Sequence, residues 1–193
     1  MLTLQDFEAM RKEMQAYDCE RELLIKQTRD VIKLSKTIIY AVHRNEFKIA
    51  QQGITDSKKI IIDLKKKIAK EPELYFEGSY RAAIQEYVKA FLYYTFAKEK
   101  RIATRKETDV DTEHYLLGIC DLTGELARRA IVSATNDRYE DVMPIRNVVE
   151  QLFEELMSFD FRGGDLRKKL DQIKYDMRRL DDVAFQLKMK DKI

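Results

Sequence analysis

Asp121 and Glu125 stand four residues apart in the segment EHYLLGICDLTGELARRAIV. That spacing puts both carboxylates on one face of a helix. His114, Gly118 and Arg128 fall on the same stripe, and Leu116, Leu117, Ile119, Cys120, Leu122, Leu126 and Ile131 fill most of the remaining surface. Two acids at this spacing repel mildly, so the pair does nothing for the helix itself. On a face turned toward a protein interior, two unpaired anions would be costly. A positive partner is therefore expected, either Arg128 or Arg129 or a divalent metal. One reading is a solvated stripe or a structural ion pair, the usual fate of acids on helices. The other is a carboxylate site for Mg²⁺ or Mn²⁺, ions that take one or two carboxylates together with waters and phosphate oxygens.

Such a site needs oxygen ligands from a second helix. Glu86, in AAIQEYVKAFLYY, is the best second contributor, because Ala82, Ala83 and Ala90 are small neighbours that let another helix come close. Lys89 follows one turn later, and the alternative for these two is an ordinary i,i+3 surface pair. Candidate cations for tracking a phosphodiester backbone are His43 and Arg44, and Lys98, Lys100, Arg101, Arg105 and Lys106. The alternative for each is a solvated face. The Tyr and Phe residues between 91 and 96 read as core, not as stacking platforms.

The elements that must position these residues are helices. Residues 4–48 contain neither Gly nor Pro, and Phe7, Met10, Met14 and Tyr17, then Leu24, Val31, Leu34, Ile38 and Val42, recur at three- and four-residue steps. This predicts one very long amphipathic helix ending at Gln51, Gln52 and Gly53. A second is expected from a cap at Asp56 or Ser57 to the residue before Pro72. A third, rich in aromatics, spans about 75–103, and a fourth runs from Asp111 or Thr112 to about Ala134. Asn136 and Asp137 mark a turn. A fifth helix covers about 144–158 with Pro144 in its first turn. After Gly163 and Gly164, Asp165 caps a last helix in which Leu166, Leu170, Ile173, Met177, Leu180, Ala184 and Leu187 form a heptad seam. The expected fold class is all-α, a bundle of about six to seven long antiparallel helices forming a single domain over 1–193. The third and fourth helices are apolar on more than one side, which requires burial in a core or at an interface between copies.

Composition narrows the function classes. With 36 basic and 34 acidic residues the net charge is +2, so any nucleic-acid surface must come from placement, not excess. Cys19 and Cys120 are expected as reduced core or near-core thiols, with His43 and His114 at no zinc-ligand spacing. No signal peptide and no membrane span are expected, which points to a cytoplasmic protein.

The stretches YLLGICDLTGEL at 115–126 and QEYVKA at 85–90 resemble the translin family, specifically its TRAX branch (translin-associated factor X). RDVIKLSKTIIYAVHR at 29–44 agrees as well, and LRKKLDQIKYDMRRLDDVAFQLKMK at 166–190 is similar to translin itself. The resemblance covers nearly the whole chain. It implies an all-α, nucleic-acid-binding homo-oligomer, an octameric shell in the family. It also implies a Mg²⁺- or Mn²⁺-dependent endoribonuclease acting on single-stranded RNA, with single-stranded DNA as a further ligand. Carried over position by position, Glu86, Asp121 and Glu125 match three of the catalytic, metal-binding acids, and the fourth falls on Lys89. A charged lysine ligates no metal, though it could hold the scissile phosphate. Arg128, Arg129, His43, Arg44, Lys98 and Arg101 join Lys89 as expected phosphate or RNA contacts. The alternative is a non-catalytic translin-like shell that binds single-stranded RNA or DNA. The chain lacks the insertion that the TRAX branch carries between the third and fourth helices, so it reads as a compact member.

Overall fold

The structure, a computed structural model, describes residues 3–193, and these are helical with no strand among them. Seven helices follow in order: α1 (Leu4–His43), α2 (Phe47–Lys70), α3 (Gly78–Glu99), the single turn α4 (Arg105–Thr108), α5 (Thr112–Thr135), α6 (Val142–Met157) and α7 (Gly164–Met189). Short 3-10 turns, Pro72–Phe76 and Tyr139–Asp141, precede α3 and α6. The all-α bundle expected from the sequence is the one observed.

Helix α1 packs on α2 and α3, α3 packs on α5, and α5 packs on α6 and α7. Helices α3 and α5 therefore sit in the middle, which explains their apolar character on several sides. In α3 every residue from Leu92 to Ala97 is buried, so that end of the helix is covered all round. The aromatic residues Tyr93, Tyr94 and Phe96 are core, as expected, and so are Tyr80 and Tyr87. On α7, Leu170, Ile173, Leu180 and Leu187 are buried and Leu166 and Met177 pack against the core, so the heptad seam is the docking stripe.

Element boundaries differ from the expectation where glycine was taken as a stop. The chain turns at residues 44–46, where Asn45 takes the left-handed conformation (φ 60°), and Gln51, Gln52, Gly53, Asp56 and Ser57 all lie inside α2. Asparagine tolerates positive φ. Gly53 is there for contact, since a Cβ on it would lie 2.7 Å from Cγ1 of Ile38. Tyr75 and Phe76 belong to the 3-10 turn, and α3 ends at Glu99 with Lys100 left-handed (φ 58°). Helix α5 starts at Thr112, as expected, and Asp111 caps it, accepting a 2.9 Å hydrogen bond from the backbone N–H of His114. Asp165 lies in the first turn of α7 and does not cap it. Cys120 is buried, and that burial pushes its thiol pKa up to about 12, whereas Cys19, expected at or near the core, is exposed. No helix among the described residues is long and apolar enough to cross a membrane.

Candidate carboxylate site

Gly118 sets the geometry. A Cβ there would fall 2.3 Å from Cγ1 of Val88 and 3.4 Å from the backbone nitrogen of Lys89. Helices α3 and α5 thus touch almost backbone to backbone, a close approach only glycine permits. The small residues expected to allow it were on α3. Ala83 and Ala90 are buried, but Ala82 is exposed and the decisive residue is on α5. The contact brings Lys89 of α3, the partner of Glu86, near Glu125 of α5, with Asp121 one turn earlier on the same α5 face.

Glu86 accepts a hydrogen bond from Nζ of Lys89 at 2.9 Å, with side chains 28% and 15% exposed. Glu125 lies 3.2 Å from Nε2 of His43, at the end of α1. The hydrogen bond to His43 holds the Glu125 carboxyl below the usual carboxylate range; burial opposes this, and the charges of Lys89, His43 and Arg128 assist. One lysine therefore acts on both glutamates. The other ring nitrogen of His43, Nδ1, lies 3.1 Å from the hydroxyl of fully buried Tyr93. Both ring nitrogens of His43 are thus engaged, Nε2 with Glu125 and Nδ1 with the Tyr93 hydroxyl, which fixes the ring. The guanidinium of Arg129 lies 6.0 Å from the centre of the Tyr93 ring.

Asp121 is bonded by Nζ of Lys169 on α7. Deeper along the same interface, Thr123 of α5 meets the buried Asp176 of α7 at 2.9 Å. The positive partner expected for the α5 acids was a divalent metal, or Arg128 or Arg129. The observed partners come from other helices, namely Lys169 for Asp121 and His43 with Lys89 for Glu125. Arg128 contributes charge only, from an exposed position. His114, on the same sequence stripe, is buried against Tyr75 and Tyr80 and hydrogen-bonds Asp111, so it belongs to the fold.

The remaining expected RNA contacts are not gathered here. Arg44 is bonded to Glu46, Arg101 to Glu99 and Glu107, Arg105 to the Val110 carbonyl, and Lys98 to the Tyr94 hydroxyl. Lys100 and Lys106 are exposed. Sequence reasoning missed Lys169 and Tyr93. Lys169 directly precedes Leu170 of the seam, a position that flanks the α5 contact, but no spacing rule links it to Asp121.

Three carboxylates from two packed helices are hard oxygen donors of the kind Mg²⁺ and Mn²⁺ take. Two of them already hold a stand-in cation, the ammonium groups of Lys89 and Lys169. The donor set suits a divalent ion in kind. In this arrangement no three His, Cys, Asp or Glu among the described residues converge on one metal position.

The translin family model matches residues 19–191. The uncharacterised protein MJ0175 of Methanocaldococcus jannaschii is 31% identical over 161 residues, covering 80% of this chain and 70% of that protein. Translin-associated protein X of Mus musculus is 23% identical over 231 residues, covering 95% of this chain and 78% of its own length. Among solved structures, apo-NeC3PO aligns with a TM-score of 0.87 at 26% identity, over 96% of this chain and 99% of that one. AfC3PO in complex with duplex RNA aligns with a TM-score of 0.85 at 24% identity, over 95% and 97%, a likeness of fold.

Proposed function

The chain belongs to the translin family, and from that premise we propose that it is an RNA-binding subunit of a homo-oligomer, cytoplasmic and shell-like, that cuts single-stranded RNA at the α3–α5 carboxylate face. The observation that supports this is the close α3–α5 packing at Gly118, which sets Lys89, bonded to Glu86 on α3, near enough for its charge to act on Glu125 of α5, one turn from Asp121. Partly buried acids are costly unless paired with a cation, and here Lys89, Lys169 and His43 stand as those partners. The order of the three acids along the chain is that of the resemblance noted in the sequence.

Glu86, Asp121 and Glu125 would hold Mg²⁺ or Mn²⁺. A bound divalent ion there would supply Lewis acidity toward a phosphate oxygen and a bound water of lowered pKa. The protein's own residues do the rest. Glu125 stays ionised because His43 and Lys89 hold it so. His43, fixed between Glu125 and Tyr93, orients that carboxylate. Lys89 and exposed Arg128 offer positive charge to the phosphate being cut. Single-stranded DNA would meet the same charges but lacks the 2′-hydroxyl.

A second reading has an observation of its own in favour: Lys89 stands where the family pattern has Glu, and it neutralises Glu86. On that reading the oligomer binds RNA without cutting it. The test is incubation of a single-stranded oligoribonucleotide with the native chain and with Asp121→Ala, in Mg²⁺ and in EDTA. Cleavage by the native chain in Mg²⁺ alone, lost in Asp121→Ala, is the expected result. Binding that survives EDTA with no cleavage in either metal condition would establish the second reading instead.

A further inference from the structure

We propose that Lys89 and Lys169 are the built-in counter-cations of the carboxylate face, and that RNA phosphate draws them off Glu86 and Asp121 so that a divalent ion enters with the substrate. The inference rests on the proposed metal-dependent reading and adds its regulation.

The argument begins with position. Lys89 reaches Glu86 from the same helix and Lys169 reaches Asp121 from α7, so the two cations come from the two helices that pack on either flank of the α5 acids' helix, α3 and α7. Each pair is partly shielded, with side-chain exposures of 15% and 28% for Lys89–Glu86 and 30% and 22% for Lys169–Asp121. Such pairs hold more tightly than fully exposed ones, and a carboxylate cannot bind an ammonium and a metal through the same oxygen. Lys89 adds a second effect, since its charge also acts on Glu125. All three acids are thus satisfied before any ion arrives, and a divalent ion must compete with two lysines.

Lysine suits this role. Its ammonium sits on a flexible four-carbon stem and is easily moved from one anion to another. A phosphodiester at the face presents a new anion within that stem's reach. Transfer of either lysine to phosphate leaves its carboxylate free, and the free carboxylates recruit the ion. Metal and RNA then assist one another, and by linkage each raises the other's affinity by the same factor. The benefit is that the site is charged for cutting only when a strand is present.

The experiment titrates Mn²⁺ into the full-length oligomer and reads bound metal by electron paramagnetic resonance. It is done alone and with a 2′-O-methyl oligoribonucleotide that resists cleavage. The native chain is expected to bind Mn²⁺ weakly alone and more tightly with the oligonucleotide. Lys89→Gln and Lys169→Gln are each expected to tighten Mn²⁺ binding without oligonucleotide by about three- to tenfold, the range set by losing one ion pair. The double variant is expected to lose most of the coupling between Mn²⁺ and oligonucleotide. Lys89→Arg with Lys169→Arg, which keeps both charges, should stay as weak for Mn²⁺ without oligonucleotide as the native chain, and melting curves check that every variant folds. Equal Mn²⁺ affinity in the native chain and the double Gln variant, or undiminished coupling in that variant, overturns the inference. Mn²⁺ binding that Asp121→Asn leaves unchanged in every form overturns the metal-dependent reading itself.

Discussion

Asp176 is the acidic side chain that the fold encloses most completely among the described residues, with 4% of its surface exposed. Burial raises its pKa above the ordinary value, the Thr123 hydrogen bond and the Arg179 charge oppose this, and Asp121 adds to the rise. The local geometry agrees. The Thr123 hydroxyl has one proton and lies 2.8 Å from the Cys120 carbonyl and 2.9 Å from Asp176. A protonated Asp176 donates to Thr123 and leaves that proton for the carbonyl. For an acid whose folded pKa exceeds its unfolded one, the stabilising contribution is complete below the unfolded pKa and is lost as pH rises through the folded pKa. At neutral pH, then, ionised Asp176 weighs against the fold. Asp176→Asn, whose amide can donate to Thr123 without a charge, should melt about 2–4 °C higher at pH 7, or about 1 kcal/mol for a chain of this length. The gap should shrink as pH falls and the native carboxyl takes up its proton. Thermal melts from pH 7 downward check this, and a gap that stays constant with pH contradicts the assignment.

At the scale of helices, the α3–α5 contact depends on the missing side chain of Gly118. Alanine there would press its methyl into Val88, a β-branched side chain held to one preferred rotamer in a helix. Overpacking of this kind costs about 1–3 kcal/mol, so Gly118→Ala should melt several degrees lower. Gly78, where an added Cβ meets nothing within 4 Å, is the matched control, and Gly78→Ala should leave the melting temperature nearly unchanged. Equal effects at both positions would mean that Gly118 is not a packing residue. The same glycines show how far the sequence could be read. Periodicity identified the long helices, because an apolar stripe at three- and four-residue steps has one geometric solution. It misplaced the first turn, because Gly53 is a contact residue and Asn45, with nothing in its pattern to mark it, takes the left-handed corner. At the site, the motif spacing brought Glu86, Asp121 and Glu125 into view. Lys169 and Tyr93 stayed hidden because they reach the site from other helices, and contacts between distant segments leave no local spacing to read.

The whole molecule leaves one large feature without an intramolecular use. Tyr17 of α1 donates to Glu77 and packs on the core, so the helical residues before it, 4–16, extend past the core, roughly 20 Å of helix at 1.5 Å per residue. On this arm Phe7, Met10 and Met14 are 45%, 43% and 60% exposed and share one face at three- and four-residue spacing. An isolated helix of that length is marginal in water, and a contiguous apolar stripe on a protein surface marks an interface. A second copy of the chain is the natural occupant for a protein read as a homo-oligomer, since the same stripe is present on every subunit. Phe7→Glu together with Met14→Glu should therefore lower the mass measured by light scattering while the melting behaviour of the bundle persists. Loss of assembly should also weaken RNA binding by more than one subunit's share. A net charge of +2 gives each subunit little general attraction for a polyanion, and linked sites bind far more tightly than single ones. If the variant keeps the native mass, the arm is not the interface. If it becomes smaller yet binds RNA as tightly as before, each subunit's own cations carry the affinity and assembly serves another purpose.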